Sequence, residues 1–277
     1  MVAFDSSTGN AQYTDDYAAT AWASAGTPSD GAGTFEHGAF FDGEWHITEA
    51  RAGNDRILSS SDLSSYAAFD MGAQTATGHH AASPGHLVVV GGAPTVSAGA
   101  TYSVRTAGAG WTSHATPPQL TGLTGAGQLR VAYNAALGVW WMAALTISSG
   151  GSSIIVESAD PTASSWATVY NGPLRFRHMA AFSRGFVLSG HVLSPDGTVI
   201  QPALWFAAYE EQGLMLRRVP YVAPRANFTA GEATAAPMQI MPFGSCYITA
   251  RAVNSSPDDN RIELAYSAHD PYLIVPE

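Results

Sequence analysis

The 277-residue chain contains no lysine and only one cysteine. All 12 basic residues are therefore arginine, and 22 acidic residues bring the net charge to −10. Nucleic-acid binding needs clustered cations that neutralise phosphates, so the acidic balance argues against a nucleic-acid partner. A single thiol, Cys246, excludes an internal disulfide framework, and its apolar surroundings are typical of a buried, unreactive side chain.

Targeting and membrane signals are also missing. The first ten residues, MVAFDSSTGN, contain neither a basic residue nor an apolar stretch, so we expect no signal peptide. The longest uncharged stretch, residues 131–156, is interrupted by the turn sequence SSGGSS. It predicts two strands joined by a turn, and hence no membrane insertion.

Amphipathic helical periodicity is almost absent from the chain. The best helix candidate is residues 203–215 (ALWFAAYEEQGLM), which also fits a strand followed by a turn, and we favour the strand. Elsewhere, short apolar segments alternate with clusters of Gly, Pro, Ser, Asp and Asn. This spacing is typical of strands and turns.

The short segments repeat in five groups of four. The first segment of each group ends at a glycine, and these glycines recur every 42 to 59 residues: Gly43, Gly85, Gly138, Gly185 and Gly244. Such a repeat is typical of propeller blades, whose four-stranded sheets bury their faces by stacking around an axis. We therefore predict an all-β protein, a single β-propeller of about five four-stranded blades over residues 35–277. Each marker glycine is predicted to lie in a turn.

Residues 1–34 form a separate N-terminal segment with only a partial unit. This segment closes the ring, contributes to a sixth blade, or serves as an arm that binds a partner, and the sequence leaves these alternatives open. An unpaired strand edge would otherwise invite aggregation.

Several links between predicted third and fourth strands share a pattern. Residues 157–166 (ESADPTASSW) resemble a degenerate Asp-box, the turn motif of sialidase-like propellers. Weaker matches are SSSDLSSY (59–66), RTAGAGW (105–111) and YSAHDPY (266–272). The resemblance implies that the aspartate caps a hairpin and that the aromatic residue packs between sheets. This role is structural and implies no activity.

Tryptophan placement supports the same architecture. Trp140 and Trp141 are adjacent in a predicted strand, so their side chains must lie on opposite faces of the sheet. We expect at least one of them to pack between blades. The same role is predicted for Trp45, Trp111, Trp166 and Trp205.

Catalytic motifs are scarce. The chain has no Gly-x-Ser-x-Gly elbow, no His-Glu-x-x-His zinc motif, and, without lysine, no phosphate-binding P-loop. Glycoside hydrolysis needs two carboxylates facing one sugar. At the starts of the predicted innermost strands we find only Glu36, with Glu232 as a further candidate. A non-catalytic protein without a cofactor or bound metal is therefore favoured.

Histidines and arginines occupy most of the corresponding positions. We predict that they converge at one end of the channel as a binding site, positively charged and more so below about pH 6.5 as the histidines protonate. It would bind an acidic loop or a sugar. The alternative is that the histidines only hydrogen-bond the neighbouring backbone. The predicted site residues are His37, His80, Arg130, Arg177 and His178.

The composition, with short strands rich in Ala, Gly, Ser and Thr and no lysine, resembles that of bacteriophage tail and tail-tip proteins. The resemblance implies a virion structural or binding protein, made in the host cytoplasm and assembled as part of an oligomer. Its partners would be other virion proteins or a host surface glycan. The alternative is a glycoside hydrolase or lyase on a sialidase-like propeller, and a third option is a cytoplasmic scaffold or lectin-like module.

Overall fold

The computed structural model describes a set of strands and the turns that join many of them. The described residues are 2–4, 11–13, 23–24, 33–51, 55–71, 79–91, 101–121, 126–146, 153–182, 184–193, 199–211, 213–219, 239–243, 246–254 and 260–266.

The N-terminal segment contributes a small antiparallel sheet of its own. Its strands are β1 (Val2–Phe4), β2 (Ala11–Tyr13) and β3 (Ala23–Ser24), in that spatial order. The next strand of the chain begins at Gly33 and belongs to a different sheet. Ring closure, a sixth blade and a partner arm all stay predictions for this segment.

Four consecutive four-stranded meanders follow, each with its strands in chain order across the sheet. The first is β4 (Gly33–Phe41), β5 (Glu44–Arg51), β6 (Arg56–Ser60) and β7 (Ala67–Asp70). The second is β8 (His79–Ala82), β9 (His86–Val90), β10 (Thr101–Thr106) and β11 (Trp111–Ala115). The third is β12 (Ala126–Asn134), β13 (Val139–Thr146), β14 (Ser153–Ser158) and β15 (Ala167–Gly172). The fourth is β16 (Arg175–Phe182), β17 (Gly185–Leu193), β18 (Val199–Glu210) and β19 (Gly213–Val219).

A fifth sheet has three described strands, β20 (Gln239–Phe243), β21 (Cys246–Asn254) and β22 (Asn260–Tyr266). The segment predicted as its fourth strand, residues 271–277, lies outside the described residues, and so does the fifth marker glycine, Gly244. Residues 203–215 form the β18–β19 hairpin, as favoured above.

The first strands of successive sheets contact one another, β4 with β8, β8 with β12, β12 with β16 and β16 with β20. They therefore lie innermost, and the sheets are blades arranged around a common axis. Helical structure in the described residues is limited to a 3₁₀ turn at Pro118–Leu120. No helix found among them is long and apolar enough to cross a membrane. The all-β propeller prediction is confirmed.

The core lies between the blades. In the third blade, side chains that alternate between the two faces of the sheet pack into the interfaces on either side. Trp140 joins a buried cluster shared with the second blade, whereas its neighbour Trp141 joins a cluster shared with the fourth. Trp141 stacks on Phe186 of β17, with ring centroids 3.9 Å apart. Opposite faces of one strand thus fill two different interfaces, as predicted. Trp166 and Trp205 belong to the same two clusters.

Three marker glycines lie in described turns between the first and second strands of a blade, as predicted. Gly43 and Gly138 adopt left-handed backbone, with φ of 79° and 67°, a conformation that favours glycine. Gly43 follows Asp42, whose φ is also positive at 52°. This Asp-Gly pair is typical of the tight turn that matches the twist of a hairpin. Gly85 lies in the β8–β9 turn.

The prediction is wrong for Gly185, which is the first residue of β17 instead of a turn residue. A Cβ atom at this position would lie 2.0 Å from the main-chain oxygen of Ala207 on β18. Glycine is therefore required by the close approach of two strands.

Two links between third and fourth strands have the geometry that the Asp-box resemblance implies. Asp160 Oδ1 accepts the main-chain N–H of Thr162 at 2.8 Å, and Trp166 beyond it is buried between blades. In the first blade, Asp62 Oδ1 accepts the main-chain N–H of Ser64 at 2.8 Å. The hydrogen bonds that the Asp62 carboxylate accepts lower its pKa to about 2. Both aspartates cap their turns.

Candidate functional site

Four imidazole rings and one guanidinium lie together where the innermost strands meet. We refer to His37, His79, His80, Arg130 and His178 as the channel cluster. The ring centroid of His37 lies 5.9 Å from that of His79 and 5.8 Å from that of His80, and both contacts are edge-on. His79 also meets His178 edge-on at 5.4 Å. Arg130 lies close enough to act electrostatically on His37, His79 and His178, so first strands of four blades contribute to one cluster.

The cluster lies deeper than the sequence predicted. Only His79 and His80 begin their strand, whereas His37, Arg130 and His178 lie in the middle of β4, β12 and β16. Rings from the second and fourth blades also touch across the axis. The prediction that the site residues lie at the strand starts is wrong for these three strands.

Strand irregularities orient two of the histidines. The pairing register shifts between Phe35 and His37 in β4, and again between Phe176 and His178 in β16. Such bulges re-aim the following side chain. At His37 the main chain is held by Thr48, whose Oγ1 accepts the His37 N–H at 3.1 Å and donates to the His37 carbonyl at 3.3 Å.

His79 lies beside His80 in the sequence but is not among the predicted site residues. Both rings reach the cluster: His79 meets His37 and His178, and His80 meets His37. The main-chain N–H of Val131 donates to His79 Nδ1 at 3.4 Å. A neutral His79 therefore carries its proton on Nε2. Arg177 neighbours His178 in β16, and its side chain lies outside the described part of the structure.

The histidines of the cluster are held in the neutral form. Burial lowers the pKa of His80 to about 4, with His37 as a second cause. Burial also lowers the pKa of His178 to about 4, and the Arg130 guanidinium adds to the effect. The same two causes lower the pKa of His37 and, more strongly, of His79. The prediction that these histidines become charged just below pH 6.5 is therefore wrong, and Arg130 carries the charge of the described cluster at neutral pH.

Several described carboxylates are engaged between strands away from the cluster. Glu49 is buried and pairs with Arg56, and Glu44 bridges to Arg105 of the second blade at 2.7 Å. Glu157 accepts hydrogen bonds from Trp141 and Tyr209. Among the described residues, no group of three or more His, Cys, Asp or Glu side chains is arranged to hold a metal ion.

No protein-family model and no curated protein matches the sequence. Solved structures match in fold. The GH93 α-L-arabinofuranosidase of Fusarium graminearum, in complex with arabinobiose, is 10% identical with a TM-score of 0.56, over 93% of this chain and 84% of that one. The α-L-arabinanase of Penicillium chrysogenum complexed with arabinobiose is 11% identical with a TM-score of 0.55, over the same shares.

The GH32 β-fructofuranosidase of Bombyx mori is 12% identical with a TM-score of 0.43, over 80% of this chain. The chain spans 55% of the length of that enzyme. At these identities the likeness shows the propeller fold alone. The predicted sialidase-like kinship and virion role gain no support from these structures.

Proposed function

We propose that the protein is a carbohydrate-binding β-propeller that holds its ligand at the channel cluster. The observation that carries this proposal is the convergence of four imidazoles and a guanidinium from four blades in one cluster. A neutral imidazole has one donor and one acceptor nitrogen, and so complements sugar hydroxyl groups, which also donate and accept. Arg130 adds charged donors.

The lowered pKa values of the cluster histidines favour an uncharged ligand. With a pKa of about 4, His80 and His178 are neutral at physiological pH, and a neutral imidazole has one nitrogen of the acceptor type. Two propellers with the same fold are described in complex with arabinobiose, a sugar without charge. Arabinose-containing oligosaccharides are therefore the first ligands to test.

The experiment compares glycan-array binding of the wild type with that of a triple variant, His80→Ala, Arg130→Ala and His178→Ala. We expect the triple variant to lose binding at the cluster while keeping its circular dichroism spectrum. His114→Ala, which changes a histidine on the outer strand β11, is the matched control and should bind normally.

A third variant without residues 1–32 tests the N-terminal segment, and it leaves β4 complete because β4 begins at Gly33. Unchanged binding by the triple variant, with loss on this deletion, would assign the ligand to the N-terminal segment and overturn the proposal.

Glycoside hydrolysis is the second candidate function. It is favoured by the position of Glu36 beside His37 on the innermost strand β4. A glycosidase also needs a second carboxylate, and Glu232, outside the described residues, is the one considered from the sequence. Release of arabinose from arabinan by the wild type, abolished in Glu36→Gln or Glu232→Gln, would establish it. Binding without release would make the protein a lectin.

The virion role stays a proposal. Membership of the sialidase-like propellers is a separate proposal. A glycan-binding propeller at a tail tip would recognise the host surface, and the two capped Asp-box-like turns support only the structural part of this idea. Mass spectrometry of purified particles is the test. Detection at a fixed copy number would support the role, and absence from particles would overturn it.

A further inference from the structure

A separate recess opens at the turn end of the innermost strands. It encloses about 360 Å³ between the first three blades, and its lining includes Phe40, Asp42, Ser83, Pro84, Ala107 and Tyr133. Phe40 and Tyr133 each lie three residues beyond a cluster residue on the same strand, His37 on β4 and Arg130 on β12. At about 3.3 Å per residue, the recess lies roughly 10 Å along the strands from the channel cluster.

Two aromatic side chains form part of its lining. Phe40 is 59% exposed, although it is large and apolar, and its ring meets Trp45 edge-on at 5.1 Å. Tyr133 packs at 4.8 Å against Trp140, which is buried. Both rings are thus supported by neighbouring tryptophans and still border an open recess. Rigid, accessible aromatic surface of this kind is suited to stacking on a flat ligand.

Asp42 supplies the polar group. Its Oδ2 accepts the main-chain N–H of Gly108 at 2.7 Å, which fixes the carboxylate between the first and second blades. No arginine or histidine lines the recess among the described residues. A carboxylate in a lining without arginine or histidine, on a protein of net charge −10, disfavours an anionic ligand and offers acceptors to hydroxyl groups.

We propose that this recess is a second carbohydrate site, which takes a neutral sugar ring stacked on Phe40 with hydroxyl groups donating to Asp42. The volume lies at the lower end of the range for small-molecule sites, about 300 to 1,000 Å³, and so fits a mono- or disaccharide. The site is built from strand ends and the turns that follow them, and it does not depend on ligand binding at the channel cluster.

The test measures binding of the full-length protein to an array of neutral, uronate-containing and amino-sugar oligosaccharides that includes arabinobiose. Calorimetry on the best neutral ligand then gives affinity and stoichiometry. We expect Phe40→Ala to weaken binding at this site about tenfold or more, because the stacking surface is lost. Phe40→Trp should retain it. Leu137→Ala removes another exposed apolar side chain from the neighbouring β12–β13 turn and should have no effect.

Asp42→Asn distinguishes a sugar from a cation. Asparagine tolerates the left-handed backbone of Asp42, so the turn is preserved. A neutral sugar should lose affinity only a few-fold, since the amide oxygen still accepts. Loss of all binding in Asp42→Asn, with only amino sugars bound by the wild type, would overturn the proposal in favour of a cation site.

The two sites are separable because each has its own variant. Loss of binding in Phe40→Ala but not in the channel triple variant would support this site and overturn the channel as the ligand site. The reverse pattern, or no neutral glycan bound by the wild type, would overturn the second site. Two sites per chain, falling to one in each variant, are expected if both proposals hold.

Discussion

Asn134 and Gly185 meet across the boundary between the third and fourth blades, where Asn134 Nδ2 donates to the Gly185 carbonyl at 2.6 Å. The same nitrogen donates to the Phe182 carbonyl at 2.7 Å. On the other side of the amide, Oδ1 accepts the main-chain N–H groups of Ala136 and Leu137 at 3.0 and 3.1 Å. One side chain thus caps the β12–β13 turn and ties it to the β16–β17 hairpin.

Replacing Asn134 should be costly. The residue is 2% exposed, and Asn134→Ala removes four hydrogen bonds to main-chain groups, so we expect the free energy of unfolding to fall by about 2–4 kcal/mol. Asn134→Asp should also destabilise, because a carboxylate cannot donate to two carbonyl groups. Urea unfolding provides the measurement, with the exposed Asn171→Ala on β15 as control. Equal stability of Asn134→Ala and wild type would contradict the assigned role.

Two glycines at equivalent positions of the repeat should respond oppositely to alanine. At Gly185 the new Cβ meets main-chain atoms of β18, 2.0 Å from the Ala207 oxygen, and neither strand can move without disturbing the sheet. We expect Gly185→Ala to destabilise by about 2 kcal/mol or more. At Gly85 an added Cβ would have no atom within 4 Å beyond its neighbours in the chain, and the φ angle is not left-handed. Gly85→Ala should therefore change the free energy of unfolding by less than about 1 kcal/mol.

Thermal unfolding of both variants decides this point. Similar losses for the two alanines would mean that the close approach of β17 to β18 does not determine the choice of glycine at residue 185.

The strands could be predicted from the sequence because their signals are local. Alternating apolar residues and turn glycines mark the ends of β12 and β13, and the structure places the strands within a few residues of that pattern. The roles of Asn134 and Gly185 could not be predicted. Their partners are about 50 residues away along the chain, in another blade, and no local pattern shows which hairpins will touch.

Most residues of the candidate site could be predicted from the sequence, but their depth in the channel and the protonation of the histidines could not. Position in the repeat was enough to select His37, His80, Arg130 and His178. Their depth in the channel depends on how four blades pack, and this depth sets the pKa of each imidazole. The added His79 belongs to the cluster through its contacts with His37 and His178, which lie in two other blades and are not visible in a local pattern.

Tyr209 and Glu157 form a hydrogen-bonded pair that should have no catalytic role. A tyrosine nucleophile must readily lose its proton, whereas burial and the Glu157 carboxylate raise the pKa of Tyr209. The pair lies on third strands, β14 and β18, away from the innermost strands. We therefore expect Tyr209→Phe to leave glycan binding, and any turnover, unchanged, and to cost no more than about 1 kcal/mol because Tyr209 is 40% exposed.

The comparison with Glu157→Ala is informative. That variant removes the acceptor of the Trp141 indole N–H, 2.7 Å away, and should destabilise by about 1–3 kcal/mol. A loss of glycan binding in Tyr209→Phe, with stability intact, would show that the pair belongs to a ligand site.

The channel cluster should make stability fall on acidification. Burial lowers the pKa of His80 and His178 from 6.5 to about 4 in the folded protein. Between these values the unfolded chain binds more protons than the folded one, so the free energy of unfolding rises with pH. The stabilisation is complete above about pH 6.5 and is lost as the pH falls toward 4. It amounts to at most about 3 kcal/mol for each of these histidines.

Urea unfolding at pH 7, 5.5 and 4.5 tests this window, which lies mostly above the range where ordinary carboxylates titrate. We expect the wild type to lose about 2 kcal/mol or more between pH 7 and 4.5. The double variant His80→Asn and His178→Asn should lose markedly less, since asparagine does not titrate. His114→Asn, on the outer strand β11, should follow the wild type. A wild-type stability that stays level over this range, or equal slopes for wild type and double variant, would show that the cluster histidines are not held neutral by burial.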